Sequence, residues 1–492
     1  MEHSRPRRGN PAVGVGLVLG SALLEGVVVG WWAWRNGVNA DEGFYLAAAA
    51  HAAQGRHLYG DVFFPQMPYL PWALAALFRF VEPSLGVARA VSVVAAAVAA
   101  GLLTAIVWLQ ERRVATTAIA ALLYIANALI IDALSVSKTS ALVNVSLLAA
   151  FAPIALQKTR APAWALLAGV ASGIAIGLRL PVAAVVLLFA ALVARQGGWA
   201  SLVAFAVGGV LASLPWLSAA ARFPDQFWFC NVTFHELRRE ITGWSAILSQ
   251  KLGVIAKWLF LPQHAIVWIL AAYGFVTDRR RVWPAVAAAL VLAAAYAAAT
   301  PTYLEYMSQF FAFLVLAAVP ACAALARHRR LAAAVLGVYA LGCYGLVKPV
   351  PAGTTMAGKR ALWARETVLE VSTYLREHAA ADDAVLSWWE GYPVLSGRPG
   401  IVGVGFWESN VAKKLDRAAA ERYHVVQREQ LAALVRDGAP AWIVVDDGTW
   451  SGLRGAIDAR YEPARRVGPV QIYRRRAGAE VTAEAAARHG AE

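Results

Sequence analysis

The sequence has few charged residues and very few cysteines. Of its 492 residues 15% are charged, 59% are hydrophobic and three are cysteine. This composition excludes a soluble globular protein, and three cysteines give no disulfide framework. The sequence also lacks zinc-type Cys/His spacing, a Walker motif and a glycine-rich nucleotide loop. These absences argue against an enzyme that binds a nucleotide-linked substrate and against a pump driven by nucleotide hydrolysis.

Long apolar runs predict a polytopic α-helical membrane protein with about eleven transmembrane helices. The predicted spans lie at 11–34, 86–109, 114–131, 139–157, 161–178, 182–194, 199–219, 263–277, 282–300, 310–326 and 331–347. We interpret the first run as a retained helix because no small-x-small cleavage site follows it. Basic residues cluster in alternate connections, namely at Arg112-Arg113, Lys158 with Arg160, Arg195, Arg279 to Arg281, and Arg327 with Arg329-Arg330. The positive-inside rule therefore predicts a cytoplasmic N-terminus and an extracytoplasmic C-terminal domain.

The net charge of +14 also raises the question of a nucleic-acid partner. The Lys and Arg residues are distributed as topology signals, however, and do not form one basic stripe interleaved with aromatic residues. The sequence therefore predicts that the protein has the lipid bilayer as a partner and does not bind nucleic acid.

The first predicted external loop, 35–85, carries a polar segment that begins at Asn39. Asn39 and Glu42 have the spacing of a capping box, which places Asp41 in the first turn of a short helix. Unpaired amide N–H groups and the helix dipole stabilise an anion there, and Tyr45 shares the face of Asp41 four residues later. Two amphipathic juxtamembrane helices are predicted in this loop, at about 41–54 and 68–80. The alternative interpretation is that the Asp-Glu pair is a helix cap and nothing more.

This segment resembles the first external loop of the GT-C superfamily of membrane glycosyltransferases. The likeness is to the protein O-mannosyltransferase and aminoarabinose-transferase branch (glycosyltransferase family 39-like), over residues 1 to about 347. The matching residues are Asp41-Glu42 with Tyr45, followed by Phe63-Phe64-Pro65-Gln66-Met67-Pro68. The resemblance implies that Asp41 is the catalytic base. Glu42 is expected to orient Asp41 or to share a metal with it, and Tyr45 and Gln66 are expected to contact substrate.

The resemblance also suggests a divalent cation, Mg²⁺ or Mn²⁺, because relatives use an Asp of a later external loop as a metal ligand. Asp132 is the best match, acting with Asp41, and Lys138 follows in the same turn. A solvated turn in which Asp132 and Lys138 are ordinary interfacial charges is the alternative.

Further candidates for binding substrate or phosphate lie at later helix ends and loops. Arg179 offers a bidentate fork for a lipid phosphate, or it is a snorkelling anchor. The second long external loop, 220–262, is predicted to place Arg238 and Arg239 near phosphate, although a contact with anionic lipid would use the same residues. Tyr303, Glu305 and Tyr306 form a short outer turn that suits a sugar or phosphate, or that belongs to an aromatic belt.

Composition changes after Lys348, which divides the chain into a GT-C transmembrane catalytic domain at 1–347 and an extracytoplasmic domain at 348–492. Helices at 361–378, 409–420 and 427–437 and strands at 384–388 and 441–446 predict a small C-terminal α/β domain. The last fifteen residues are predicted to be disordered. This domain carries no recognisable catalytic set, so we expect it to bind the acceptor or to act as a lid.

Taken with the resemblance, the sequence predicts an inverting membrane glycosyltransferase of a bacterial cytoplasmic membrane. It would move a sugar from a polyprenyl-phosphate donor to an acceptor hydroxyl on a lipid, glycan or protein at the outer face. A polytopic transporter or flippase, and a polysaccharide polymerase or ligase for lipid-linked glycans, are the alternative functions. Against transport, no inverted repeat is visible and the carboxylates collect in an external loop.

Overall fold

The computed structural model describes residues 10–344, 361–404, 410–446, 448 and 450–477. The predicted disordered tail lies outside these residues. Within them the helices are α1 (Pro11–Arg35), α2 (Ala40–Ala53), α3 (Tyr69–Phe78), α4 (Leu85–Glu111), α5 (Val114–Ile125), α6 (Ala128–Ser135), α7 (Ser140–Ala155), α8 (Pro162–Leu178), α9 (Ala183–Arg222), α10 (Pro224–Trp228), α11 (Phe234–Thr242), α12 (Trp244–Phe260), α13 (Pro262–Thr277), α14 (Arg279–Ala298), α15 (Ser308–Ala317), α16 (Val319–Leu325), α17 (Arg329–Tyr344), α18 (Arg365–His378), α19 (Gly391–Ser396), α20 (Arg417–Arg422), α21 (Arg428–Arg436) and α22 (Arg454–Arg460).

Within the described residues, helices occupy the apolar runs predicted to span the membrane, so the membrane-protein fold is confirmed. By length and composition, four helices in the described residues suffice to cross a membrane: Pro11–Arg35, Leu85–Glu111, Leu180–Arg222 and Arg279–Ala298. Three further pairs are bent, α5 with α6 by 60°, α12 with α13 by 65°, and Leu304–Ala317 with α16 by 54°. Counting each bent pair as one span gives up to seven. The count of eleven therefore stays a prediction.

Two of the predicted boundaries can be compared with the structure. The break predicted between the spans 182–194 and 199–219 is confirmed, because α9 consists of two helices that meet at Gly198, where φ is 69° and ψ is −163°. Those angles lie outside the helical region and favour glycine. The segment 220–262, predicted as a loop, is instead largely helical, because it contains α10, a π-helical turn at Phe229–Thr233, α11 and α12.

The chain divides into two compact units. The first, here called the helical unit, comprises Met1–Trp34, Arg89–Leu217 and Gly243–Val350. The second, here called the mixed unit, comprises Arg35–Ala88, Ser218–Thr242 and Pro351–Glu492. The mixed unit therefore combines the first predicted loop and part of the second with the C-terminal region, an organisation that a linear division at residue 348 does not describe.

The helical unit packs α8 against α9 through glycines that allow the two backbones to touch. A Cβ atom added at Gly208 would lie 2.2 Å from the carbonyl oxygen of Leu166, and one at Gly169 would lie 2.0 Å from that of Phe205. Small residues at such crossings maximise van der Waals contact between helices where the hydrophobic effect contributes little. These glycines are therefore packing residues.

We predict that Gly208→Ala destabilises the helical unit, because the new methyl group meets a backbone carbonyl that cannot rotate away. Overpacking of this kind costs roughly 1–3 kcal/mol. Gly337→Ala is the matched control, since no atom lies within 4 Å of a Cβ added there and a mid-helix Gly→Ala change gains about 0.5–1 kcal/mol. Thermal unfolding of the detergent-solubilised proteins measures both, and equal shifts would contradict the packing role of Gly208.

The mixed unit contains a four-stranded sheet. Its strands are β1 (Val385–Ser387), β2 (Trp442–Asp446), β3 (Tyr461–Val467) and β4 (Val470–Arg475), and they lie side by side in the order β1-β2-β4-β3. Strand β1 pairs in parallel with β2, whereas β4 pairs antiparallel with both β2 and β3. The strands predicted at 384–388 and 441–446, and with them the small α/β domain, are confirmed. The helix predicted at 409–420 is wrong in its bounds: α20 begins after Asp416, whose side chain accepts the Ala419 N–H at 2.7 Å and caps the helix.

Candidate active site

A complete capping box fixes the first turn of α2. The Asn39 backbone N–H donates to Oε2 of Glu42 at 2.9 Å, and the Asn39 side chain accepts from the Asp41 N–H at 3.0 Å and from the Glu42 backbone. Glu42 is fully buried. The predicted cap and the predicted place of Asp41 in the first turn are thus confirmed. Glu42 holds the helix start, and Asp41 is the acid of the pair that lines a pocket.

Side chains of the C-terminal region hold the same turn. The indole Nε1–H of Trp389 donates to the carbonyl oxygen of Ala40 at 2.8 Å. Its ring covers Gly43, where an added Cβ would lie 2.4 Å from a ring carbon. The Val38 N–H donates to the Trp363 carbonyl at 2.8 Å, and the Trp363 and Trp389 rings meet edge to face. No pattern in the sequence predicted this contact, because Trp389 and Ala40 lie 349 residues apart.

A small pocket of about 20 Å³ adjoins Asp41. Four of the predicted site residues line this pocket: Asp41, Tyr45, Gln66 and Arg238. The other lining residues are Phe44, Pro65, Phe234 and His235. A volume of this size holds roughly one water-sized group. Glu42 and Arg239 do not line the pocket, and Arg239 is exposed.

His235 is a pocket residue that sequence reasoning did not select. Its Nε2 lies 3.1 Å from the Pro65 carbonyl oxygen. A carbonyl oxygen only accepts, so Nε2 carries a proton and donates, which leaves Nδ1 as the second polar atom of the ring. The only signal in the sequence was that His235 lies three residues before Arg238 and therefore shares its helix face.

In the helical unit, the other predicted residues form a cluster of their own. Lys138 Nζ lies 2.6 Å from Glu305 Oε1. The Arg179 guanidinium carbon lies 4.5 Å from the centre of the Tyr306 ring, and Nη1 donates to Thr139 Oγ1 at 3.4 Å. The rings of Tyr303 and Tyr306 meet edge to face at 5.4 Å. Candidates from three separate connections thus meet in one buried, cation-bearing cluster.

The surroundings of Asp132 do not fit a metal site. Its Oδ1 accepts a hydrogen bond from Trp32 Nε1 at 3.1 Å. Within the described residues, no group of three or more His, Cys, Asp or Glu side chains has the arrangement of a metal site. Hard divalent cations require several oxygen ligands. This set of donor atoms therefore does not support the predicted Mg²⁺ or Mn²⁺.

No protein-family model matches the sequence, and no curated protein matches it. Solved structures, in contrast, match this chain. The structure of ArnT from Cupriavidus metallidurans bound to undecaprenyl phosphate matches with a TM-score of 0.65 at 14% identity, over 94% of this chain and 98% of that chain. The same protein in the apo state matches with a TM-score of 0.64 at 15% identity, over the same shares. The chain has an ArnT-like fold. The resemblance predicted from Asp41, Glu42 and their neighbours is thereby confirmed at the level of the fold, over the C-terminal region as well as the membrane part.

We predict that Trp389→Phe lowers the stability of the mixed unit. Phenylalanine keeps a ring over Gly43 but removes the indole N–H that donates to the partly buried Ala40 carbonyl, and a hydrogen bond of this kind contributes about 0.5–1.5 kcal/mol. Trp228→Phe is the control in the same unit, because Trp228 is 63% exposed. Urea unfolding followed by tryptophan fluorescence compares the two, and an equal change in midpoint would show that the Trp389 hydrogen bond adds nothing.

Proposed function

We propose that this protein is an inverting membrane glycosyltransferase, which moves a sugar from a polyprenyl-phosphate donor to a hydroxyl group of an acceptor. The observation that carries the proposal is the placement of Asp41. It stands in the first turn of α2 and lines a hydroxyl-sized pocket with Arg238 and His235. The chain has this arrangement within an ArnT-like fold, and ArnT is known in complex with undecaprenyl phosphate.

Asp41 is the general base in this proposal. Its carboxylate takes the proton of the acceptor hydroxyl as the oxygen attacks the anomeric carbon from the face opposite the phosphate. The bond between that carbon and the phosphate oxygen breaks, and polyprenyl phosphate leaves with one more negative charge. Glu42 acts indirectly, because its carboxylate keeps Asn39 and hence this turn in place.

The charge that develops on the leaving phosphate requires cations. Arg179 is the main candidate, because its guanidinium can bind two phosphate oxygens at once, whereas the Lys138 ammonium, which lies 2.6 Å from Glu305 Oε1, offers a point charge. Only 9% of Arg179 is exposed, and its guanidinium lies over Tyr306. A snorkelling anchor would place that head group in water, so the burial supports a binding role. Tyr303 and Tyr306 then orient the guanidinium, and Arg238 serves the acceptor pocket.

The membrane placement proposed here follows the basic connections of the sequence. The N-terminus faces the cytoplasm of a bacterial cell, and the C-terminal domain and the pocket beside Asp41 face the outside. The donor is loaded with its sugar on the cytoplasmic side, so the chain itself requires no nucleotide site. The acceptor hydroxyl belongs to a lipid, a glycan or a protein.

We predict that Asp41→Asn lowers the rate of sugar transfer at least about a hundredfold, since a positioned general base contributes typically about 10²- to 10⁴-fold. Asparagine keeps the shape of the side chain but cannot take the proton. Purified enzyme, a radiolabelled polyprenyl-phosphate sugar and envelope lipids or glycans as acceptor provide the assay, with donor binding measured separately and expected to be unchanged.

Asp61→Asn is the matched control for Asp41→Asn. Asp61 lies in the same predicted loop, where its Oδ2 accepts the His57 N–H at 2.7 Å, a bond that an amide oxygen can also accept. This variant should keep near-parental turnover. Near-parental turnover of the Asp41 variant as well would contradict the assignment of the base, and donor translocation without any bond cleavage would favour a flippase.

For Arg179→Gln we predict a weaker affinity for the donor, by about ten- to a hundredfold, because charge-assisted hydrogen bonds contribute roughly 1.5–3 kcal/mol. Arg195→Gln is the control, since Arg195 is an exposed arginine that also lies over an aromatic ring, that of Trp283 at 4.8 Å. Equilibrium binding of the polyprenyl-phosphate sugar measures both. If the Arg179 variant binds the donor with parental affinity, Arg179 has a structural role and does not bind the phosphate.

A further inference from the structure

A second, much larger cavity of about 530 Å³ lies within the mixed unit. One wall is the C-terminal half of α2, from Ala47 to Gln54, and the opposite wall is the C-terminal region around Glu390 and the strap 397–403. The volume falls in the range of about 300–1,000 Å³ that is typical of small-molecule sites. Phe44 lines both this cavity and the pocket beside Asp41, so the two are neighbours along α2.

The lining offers several hydrogen-bonding groups, and its charged side chains are of both signs. Gln54 contributes an amide, Glu390 a carboxylate, and Arg56 an exposed guanidinium. Arg398 is engaged in its own surroundings, because its guanidinium donates to the carbonyl oxygens of Ala379 at 3.0 Å and Arg376 at 2.6 Å. With one carboxylate beside Arg56, this set suits a ligand with several hydroxyl groups better than a polyanion, which would require a cluster of available cations.

His51 adds a neutral polar group to the same wall. Burial, and then the nearby charge of Arg56, lower the pKa of His51 from 6.5 to about 4. The imidazole is therefore neutral at pH 7, and its Nδ1 has no hydrogen-bond partner within the described part of the chain. A buried polar atom without a partner favours a ligand that supplies one.

The strap 397–403 brings bare backbone to the cavity. Gly397 has φ 68° and Gly403 has φ 77°, conformations that favour glycine, and Gly400 lies between them. Glycine allows close approach of a ligand to peptide N–H and C=O groups. Across the cavity, the rings of Phe44 and Phe63 provide an apolar face. Peptide groups, neutral polar side chains and an aromatic face together form the kind of surface on which sugar rings pack with their hydroxyls bonded.

We propose that this cavity binds the glycan portion of the acceptor. The proposal rests on the transferase activity proposed above and assigns its acceptor class: the reactive hydroxyl reaches Asp41 while the rest of the sugar chain occupies the larger cavity. The small pocket has room for the hydroxyl alone, so the affinity and the choice of acceptor come from the larger cavity.

The test blocks the cavity from its exposed rim. Ala381 lines the cavity and is exposed, whereas its neighbour Ala380 is equally exposed and does not line it. Ala381→Trp and Ala380→Trp are therefore a matched pair with little risk of misfolding. Full-length enzyme receives radiolabelled polyprenyl-phosphate sugar and a dilution series of an envelope extract, and the half-saturating extract concentration is measured. Hydrolysis of the donor without extract is measured in parallel.

The expected result is a rise of about tenfold or more in the half-saturating concentration for Ala381→Trp, a loss of about 1.4 kcal/mol in binding, with parental donor hydrolysis. Ala380→Trp should match the parent in both. Parental half-saturation for Ala381→Trp would overturn the cavity proposal alone. If the parent neither transfers nor hydrolyses the sugar, the proposed function itself fails.

A second measurement tests the chemical class of the acceptor. Periodate followed by borohydride destroys vicinal diols of sugars, whereas a protease destroys peptides. Extract treated with periodate and borohydride should lose its acceptor activity, and protease-treated extract should keep it. The reverse pattern would overturn the glycan assignment and identify a peptide acceptor.

Discussion

The first turn of α2 is the constraint on which the candidate site depends. Asn39 and Glu42 bond reciprocally at its start, and the Trp389 indole holds the Ala40 carbonyl. The peptide group before Asp41 therefore cannot rotate without breaking the partly buried hydrogen bond from Trp389, which contributes about 0.5–1.5 kcal/mol. A carboxylate held in this way keeps its direction during proton transfer, and a base works only within hydrogen-bond reach of its proton.

The buried cations of the helical unit pose a different physical problem. An arginine or lysine in an apolar bundle is costly unless it is paired. Lys138 meets this requirement with Glu305, and Arg179 meets it with the Tyr306 ring and the Thr139 hydroxyl. An aromatic face neutralises a guanidinium only in part. The planar guanidinium of Arg179 also matches two oxygens of a phosphate at once, whereas a lysine ammonium acts as a point charge.

The features that could be predicted from the sequence are those that depend on residues close together in it. Apolar runs, the cap at Asn39 and the break near Gly198 follow from helical periodicity and local backbone chemistry. The hairpin of β3 and β4 was missed because Pro463 and a mostly exposed face remove the alternating pattern from Tyr461–Val467. The meeting of His235 with Asp41, and of Trp389 with Ala40, could not be predicted because nothing in the linear order specifies which distant segments pack together.

The two cavities beside α2 address a difficulty that any transferase with an exposed base has to overcome. A pocket of about 20 Å³ accepts water as readily as an alcohol, and activated water would hydrolyse the donor. Discrimination must then come from parts of the acceptor that do not react, because binding energy gained away from the reacting atoms can be used to favour the transfer. In the proposed function, a cavity of about 530 Å³ that shares Phe44 with the small pocket supplies that binding energy. Residues of the C-terminal region would then select the acceptor over water, whereas a residue of α2 would carry out the proton transfer.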